Sequence, residues 1–131
     1  MGISADDMVG IQQLYARYNH AIDSGDADGW ASCFTADGRF SASGVGDLQG
    51  TAALAAFARS IAGRTSGRHW TNNLLVEGDG GGATAKCYFV YLQSGAAGKP
   101  PAAAFTGMYT DTLDRGHDGW RFAARSFVAD A

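Results

Sequence analysis

The sequence predicts an α+β fold in which helices come first and a sheet of antiparallel strands follows. Two observations support this prediction. Up to about residue 61 the apolar residues recur at helical spacing, and from residue 68 onward apolar and polar residues alternate as in strands, with glycine-rich turns between them. We expect a strongly curved, cone-shaped sheet whose concave face is covered by the N-terminal helices, in a single domain that spans residues 1–131.

The first helix is predicted from one apolar stripe and from signals at both ends. Ser4 and Asp7 resemble a capping box at its start, and Gly25 is placed to end it. The stripe consists of Ile11, Leu14, Tyr15, Tyr18 and Ile22. A short second helix carries Trp30 and Phe34, and a third helix begins at Thr51 in an alanine-rich segment that favours helix.

The remaining segments predict strands and turns. Four long strands are expected at 69–77, 83–93, 105–113 and 120–128. Glycine-rich turns at 78–82 and 115–119 join the first and the last pair of these strands. Earlier in the chain, residues 35–38 predict a turn, residues 39–42 a short strand, and residues 44–50 a loop.

Composition and charge exclude several classes of protein. Hydrophobic residues make up 46% of the 131 residues and charged residues 18%, which is ordinary for a globular domain. The net charge of −3 provides no basic field for nucleic acid, and no apolar run is long enough for a membrane span. The N-terminus lacks the features of a signal peptide, and Cys33 and Cys87 are expected as buried free thiols in a reducing compartment. We therefore expect a cytoplasmic protein.

Asp23 and His69 are the first candidates for a functional site. A histidine becomes an effective proton acceptor at neutral pH when a carboxylate fixes its tautomer and stabilises its charged form. His69 lies near the start of a strand, and strand alternation places Thr71, Asn73 and Leu75 on its face, which is not cleanly apolar. Taken singly, the sequence favours a structural or surface role for His69 and a solvated or capping role for Asp23.

Tyr18 and Arg125 are two further candidates. Tyr18 belongs to the apolar stripe of the first helix, so core packing is the alternative to a functional role. Tyr18 and Asp23 are about 140° apart on an ideal helix, so they share a site only if the cavity wraps around the helix end. Arg125 shares a strand face with Phe127 and points either toward the core or outward to solvent.

Other kinds of site find no support in the sequence. His20, His69 and His117 lack the spacing of metal ligands, and the glycines at 80–82 form a turn rather than a phosphate-binding loop. No serine or cysteine has the local signature of a nucleophile. The sequence therefore predicts no metal, no cofactor and no covalent catalysis.

The motifs together resemble SnoaL-like domains of the nuclear transport factor 2-like superfamily over nearly the whole chain. The resemblance is carried by residues 18–26, 30–34, 37–40, 68–69, 73, 107–111 and 118–122. It implies a cone-shaped α+β barrel, and superfamily members commonly pair or trimerise through the sheet. The resemblance therefore implies a homo-oligomer, a dimer or a trimer, and it leaves the reaction open because this fold hosts many chemistries.

Within the superfamily, the chain is most similar to lyases that use an aspartate–histidine dyad. Bile-acid dehydratases have a tyrosine five residues before that aspartate, which here falls on Tyr18 and Asp23. Hexachlorocyclohexane dehydrochlorinase resembles the chain at Asp23, His69 and Arg125 but has a lysine in place of Tyr18. Scytalone dehydratase is a more distant relative, and its second histidine has no evident counterpart in this sequence.

These similarities imply a cofactor-independent lyase, a dehydratase that acts on a small or medium hydrophobic molecule. His69 is expected to remove a proton, Asp23 to hold its tautomer, Tyr18 to donate a hydrogen bond, and Arg125 to offset negative charge. A polyketide cyclase or ketosteroid-type isomerase needs the same base without a leaving group. A non-catalytic ligand-binding or assembly module is the alternative of another class. It is expected if Asp23 turns to solvent and the cavity is filled by Trp30, Phe57, Tyr88 and Phe105.

Overall fold

The computed structural model describes residues 2–64 and 66–131, so Met1 and Thr65 of the predicted domain lie outside the described residues. Within these ranges the chain forms three helices and six strands. The helices are α1 (Ala5–Ser24), α2 (Ala27–Ala31) and α3 (Thr51–Ile61). The strands are β1 (Phe34–Ala42), β2 (Gly46–Gln49), β3 (Gly67–Gly78), β4 (Gly82–Gln93), β5 (Ala102–Gly116) and β6 (Gly119–Ala129). The predicted α+β class, with helices before a curved open sheet, is confirmed.

The six strands form one sheet in the order β2-β1-β6-β5-β4-β3. All neighbouring strands are antiparallel except β1 and β6, which are parallel, so the sheet is not antiparallel throughout as the sequence predicts. The turn expected at 35–38 lies inside β1, where pairing with β6 shifts register between Phe34 and Arg39. The loop expected at 44–50 contains β2, which pairs back onto β1.

Helix α1 is held at both ends and buries its predicted stripe. The Ser4 side chain accepts a hydrogen bond from the Asp7 backbone N–H at 3.0 Å. The Asp7 carboxylate accepts a hydrogen bond from the Trp120 indole at 3.0 Å, which ties the start of α1 to the last strand. Gly25 ends the helix in the left-handed conformation that glycine favours, with φ 77°.

An irregularity in β3 changes which residues face the core. Asn73 has a positive φ of 54°, and the pairing of β3 with β4 shifts between Asn72 and Leu75. His69 and Thr71 remain on the inner face as predicted, but Leu74 rather than Leu75 is partly buried, and Leu75 is 61% exposed. The predicted common face of His69, Thr71, Asn73 and Leu75 is therefore wrong beyond Thr71.

The inner face of the sheet and the helices enclose the core, whereas part of the outer face remains apolar and exposed. Cys33 and Cys87 are both free and buried, as predicted. On the outer face, Tyr88, Met108 and Val128 are exposed and occupy directly paired positions on three neighbouring strands. Among the described residues, no helix combines the length and apolar character that crossing a membrane would require.

Candidate active site

An apolar cavity of about 430 Å³ lies between the helices and the inner face of the sheet. We call this space the apolar cavity. Most of its lining side chains are aromatic, and the exposed residues Val45 and Phe105 belong to the lining. The remaining lining residues are Tyr18, Ile22, Trp30, Phe40, Ala42, Ser43, Phe57, Ile61, His69, Phe89, Tyr91, Tyr109, Phe127 and Ala129. A cavity of this size and composition suits a hydrophobic molecule.

A second, polar depression lies between α1 and the first half of β3, and we call it the α1–β3 groove. Its lining from α1 includes Gln12, Asn19, His20 and Asp23, and its lining from β3 includes residues 67–74. Asn19 bridges the two elements by donating a hydrogen bond to the Thr71 hydroxyl at 3.2 Å. His69 lines both the groove and the apolar cavity, so its ring forms part of the boundary between them.

The structure brings Asp23 and His69 together across that boundary. His69 Nδ1 lies 2.6 Å from Asp23 Oδ1. The His69 backbone N–H also donates to the Asp23 carboxylate, at 3.1 Å to Oδ1 and 3.2 Å to Oδ2. Because Nδ1 is committed to the carboxylate, the proton of a neutral imidazole resides there and Nε2 keeps its lone pair. The pair can therefore accept a proton at Nε2.

The position of Asp23 on α1 is locally unfavourable and is explained by this contact. A carboxylate in the last turn of a helix opposes the helix dipole, at a cost of about 0.3–1 kcal/mol. The last turn of α1 contains no basic residue to offset it. The two N–H groups of His69 compensate Asp23 instead, and the Asp23 side chain is only 15% exposed.

The surroundings of His69 keep its ring neutral and fixed in orientation. Its ring centroid lies 5.3 Å from that of Phe89 and 5.1 Å from that of Tyr91. Burial among these rings lowers the pKa of His69 below its ordinary value, although the hydrogen bond and charge of Asp23 act in the opposite direction. A neutral imidazole at neutral pH is the form that can accept a proton.

Tyr18 lies in the wall of the apolar cavity on the side of α1 and is 2% exposed. Asp23 lines the groove and Tyr18 lines the cavity, in agreement with their separation around the helix axis. The cavity and the groove meet at His69, so the three residues border one site. Burial raises the pKa of Tyr18, so its hydroxyl keeps its proton and can donate a hydrogen bond.

Arg125 faces the core, contrary to the outward alternative, but it lines neither the cavity nor the groove. Its Nε lies 3.0 Å from Asp111 Oδ1, and both side chains are 0% exposed. Its guanidinium carbon lies 3.4 Å from the ring centroid of Tyr109 and 4.3 Å from that of Tyr18. The rings of Tyr18 and Tyr109 line the cavity and lie against Arg125. Arg125 therefore does not contact a molecule bound in the cavity directly.

Asp111, Tyr15 and Tyr109 were not singled out in the sequence, although strand alternation contains the signal. Tyr109, Asp111 and Leu113 alternate on the inner face of β5, so Asp111 is a charged residue at a core position. Asp111 also pairs directly with Arg125 across β5 and β6. The Tyr15 hydroxyl donates a hydrogen bond to the other oxygen of Asp111. An acid and a base at facing core positions indicate a buried ion pair.

The described residues show no candidate metal centre. Among residues 2–64 and 66–131, no group of three or more His, Cys, Asp or Glu side chains could hold a metal ion. The Cys87 thiol accepts a hydrogen bond from Arg125 at 3.7 Å, and burial raises its pKa to about 11. Cys87 is therefore protonated at neutral pH and is not an activated nucleophile.

Comparison with protein families identifies the class of this fold and site. The profile of the SnoaL-like domain family matches residues 4–126. The chain belongs to this family, and its fold is that of the nuclear transport factor 2-like proteins. The family includes polyketide cyclases and dehydratases. No curated protein matches the sequence significantly.

Solved structures agree with this assignment. Rv3472, a protein of unknown function from Mycobacterium tuberculosis, is 37% identical with a TM-score of 0.88, and the match covers 95% of this chain and 72% of that one. Aln2 from a Streptomyces species is 31% identical with a TM-score of 0.83, covering 95% of this chain and 90% of that one. A Catenulispora acidiphila protein in complex with S-DNPA is 26% identical with a TM-score of 0.84, covering 97% of this chain and 96% of that one.

Proposed function

We propose that this protein is a cofactor-independent lyase that eliminates water from a small or medium hydrophobic molecule. One observation carries the proposal: the imidazole of His69 is hydrogen-bonded to Asp23 at 2.6 Å and also forms part of the wall of the apolar cavity. A base with a fixed tautomer therefore borders a space that suits a hydrophobic ligand. The substrate class follows from the aromatic lining, which favours flat, ring-containing molecules.

The proposed reaction begins with transfer of a proton from a carbon beside a carbonyl group to His69 Nε2. The electron pair of that C–H bond becomes the new carbon–carbon double bond, and the bond from the next carbon to its hydroxyl group breaks. The departing hydroxide takes the proton back from the His69 imidazolium and leaves as water, which restores the neutral ring. Asp23 stabilises the imidazolium while it exists.

Tyr18 and Arg125 have different roles in this proposal. Tyr18 donates a hydrogen bond to the carbonyl oxygen or to the departing hydroxyl group, because its protonated phenol borders the cavity. Arg125 is a positioning residue rather than a catalytic one. Its guanidinium lies 4.3 Å from the centre of the Tyr18 ring, so it offsets developing negative charge through that ring.

The comparisons support a small-molecule ligand for this chain. The related Catenulispora acidiphila structure is a complex with S-DNPA, and the family includes dehydratases and cyclases. Within residues 2–64 and 66–131, the apolar cavity provides space for such a ligand beside His69. Transfer of this property to the present protein is part of the proposal.

The test is a screen of ring-containing β-hydroxy ketones with mass-spectrometric detection of water loss. We expect turnover by the wild-type protein and a decrease of about 10²–10⁴-fold or more in His69→Gln. His117→Gln is the matched control, because His117 is exposed in the turn between β5 and β6 and contacts neither space. Equal turnover in His69→Gln and His117→Gln would exclude His69 as the base.

A cyclase or isomerase is the second candidate within the enzymes. It is favoured by one observation: the described lining of the apolar cavity contains no Lys or Arg side chain to stabilise a leaving anion directly. Enolisation needs only the base and a hydrogen-bond donor to the carbonyl oxygen. A product of unchanged mass in the same screen would support this candidate and contradict the elimination.

The non-catalytic binding module is the alternative of another class. Tyr88 was expected to fill the cavity in that case, but it is on the outer face of the sheet and 52% exposed. Asp23 is turned toward His69 rather than toward solvent. Equal ligand affinity in wild type and His69→Gln, with no turnover in either, would support the binding module.

We also propose self-association through the outer face of the sheet, where Tyr88, Met108 and Val128 form an exposed apolar row. The homo-oligomer and the cytoplasmic location both stay predictions from the sequence. Sedimentation equilibrium of wild type and Met108→Lys tests the oligomer. A monomeric wild-type protein would contradict self-association. An oligomeric wild type and a monomeric Met108→Lys variant would support the outer face of the sheet as the interface.

A further inference from the structure

We propose that Gly107 determines which ligands fit the apolar cavity, although it does not line the cavity itself. It is a positioning residue that acts through the ring of Phe127. This inference rests on the proposed function for the use of the cavity and deepens it, because it names the ligand class. The ligands are flat molecules with two or more fused rings, which need the full depth of the cavity.

Gly107 lies within β5, on the inner face of the sheet. Strand alternation places it on the same face as Phe105 and Tyr109, and it is buried. It pairs directly with Phe89 of β4 and with Ala129 of β6. These four neighbours all line the apolar cavity, whereas Gly107 is absent from the lining that the described residues form. Another group therefore lies between Gly107 and the cavity.

The ring of Phe127 is that group. A Cβ atom added to Gly107 would lie 2.5 Å from Phe127 Cζ, far closer than an ordinary contact of 3.4–4 Å. Phe127 itself lines the cavity and is 8% exposed. A glycine inside a strand weakens the strand and often marks a close approach of this kind. The missing side chain of Gly107 therefore gives the ring of Phe127 its place against the sheet.

Neighbouring rings keep Phe127 from moving sideways. Its ring centroid lies 5.2 Å from that of Phe89, 5.3 Å from that of Tyr109 and 6.0 Å from that of Phe105. These are the separations of aromatic rings in contact. With a side chain at position 107, the ring would have to withdraw from 2.5 Å to at least 3.4 Å. The sheet lies behind the ring and other rings lie beside it, so the ring would move into the cavity.

The consequence is a preference for ligands of a certain size. A ligand with one ring keeps enough room beside His69 when Phe127 moves inward, but a fused two-ring ligand also needs the space over Phe127. A mismatch of one methylene group in a hydrophobic pocket changes the preference between ligands by about 10–200-fold. Gly107 therefore favours fused rings by keeping Phe127 against the sheet.

The experiment measures the dissociation constants of acetophenone and 2-acetylnaphthalene, which differ by one fused ring. We expect Gly107→Ala to weaken binding of the two-ring ketone by about tenfold or more and that of the one-ring ketone by less than about twofold. Gly82→Ala is the matched control in the same sheet, because its added Cβ atom meets the Leu113 carbonyl oxygen at an ordinary 3.6 Å. An equal loss for both ketones in Gly107→Ala would overturn the inference, since a merely structural role does not distinguish them.

Phe127→Leu is the second variant and leaves the backbone at Gly107 unchanged. It is needed because the Cβ atom in Gly107→Ala also meets the Val128 carbonyl oxygen at 2.5 Å, a backbone contact that can prevent folding. Removal of the ring opens the space over Gly107, so we expect 2-acetylanthracene, with three fused rings, to gain about threefold to tenfold in affinity relative to acetophenone. An unchanged ratio of these two affinities in Phe127→Leu would contradict the inference.

The outcome is separate from the proposed reaction, because none of the three ketones carries a hydroxyl group that could leave. Absence of elimination in the screen would contradict the reaction and leave the size preference intact. Failure of the wild-type protein to bind any of the three ketones would overturn this inference together with the apolar cavity as the ligand site.

Discussion

The apolar cavity and the α1–β3 groove differ in almost every property, yet they share His69. The cavity is lined by aromatic rings and suits a hydrophobic ligand. The groove is lined by amide, hydroxyl and charged side chains and contains Asp23. In the proposed function, this difference would separate an apolar space for the ligand from the polar group that stabilises the charged form of the base.

His69 has a different environment on each of the two sides. Nδ1 is hydrogen-bonded to Asp23, which belongs to the groove. Burial on the cavity side keeps the ring neutral until it accepts a proton. Because Asp23 is partly exposed, its charge costs less there than it would inside the cavity. The comparison can be tested by changing either side separately.

The largest effect is expected on turnover, from Asp23→Asn, which removes the negative charge on the groove side of His69. An amide can donate to Nδ1, so the ring proton moves to Nε2 and the base is lost. We expect turnover to fall about 10²–10⁴-fold with little change in ligand affinity. His20→Gln, also in the groove lining, is the control. Turnover of Asp23→Asn within about twofold of that control would show that the carboxylate is not needed.

The next largest effect is expected on the free energy of unfolding, from a change in the buried ion pair of Asp111 and Arg125. Asp111→Asn leaves the charge of Arg125 buried without its counter-ion, and we expect a loss of about 3–5 kcal/mol in the free energy of unfolding. Asp118→Asn breaks an ion pair with Arg121 that has the short distance of 2.8 Å but is exposed, and we expect less than about 1 kcal/mol. Urea unfolding measures both. Similar losses in the two variants would mean that burial does not determine the strength of the pair.

The pH dependence follows from the lowered pKa of His69. Turnover should persist below the ordinary midpoint for histidine, about pH 6.5, and decline only as the ring becomes protonated at lower pH. The free energy of unfolding should also decrease at low pH. The unfolded chain binds a proton at His69 at higher pH than the folded chain does, so folding stability falls as pH decreases below about 6.5. A turnover midpoint above about pH 7 would contradict the dominance of burial.

The smallest effect is expected from Phe89→Ala, which admits water to the cavity side of the ring. The Phe89 ring lies 5.3 Å from His69, so its removal weakens the burial that lowers the pKa. We expect the pKa of His69 to rise toward its ordinary value, as measured by NMR titration. Leu75→Ala on the exposed outer face is the control. A decrease in the pKa after Phe89→Ala would mean that the surroundings of the ring do not act through burial.

Much of the fold could be predicted because its patterns are local. The stripe of α1 and the alternation of β4 and β5 follow from helical and strand periodicity, and they place Tyr18 and Tyr109 inside. The exceptions have identifiable causes. The positive φ of Asn73 shifts the alternation of β3. The residues expected as a turn at 35–38 form an irregular part of β1, where the pairing with β6 breaks off after Phe34 and resumes at Arg39.

The sequence by itself determined the class of fold, the burial of the helical stripe, and the residue types available for proton transfer. The tertiary structure decided which of them meet. Asp23 and His69 are 46 positions apart and touch because the curved sheet brings β3 beside the end of α1. Arg125 became a buried partner of Asp111 because the register of β5 and β6 sets the two side by side. Local periodicity determines which face a side chain occupies, whereas contacts between distant residues depend on how the sheet curves and pairs.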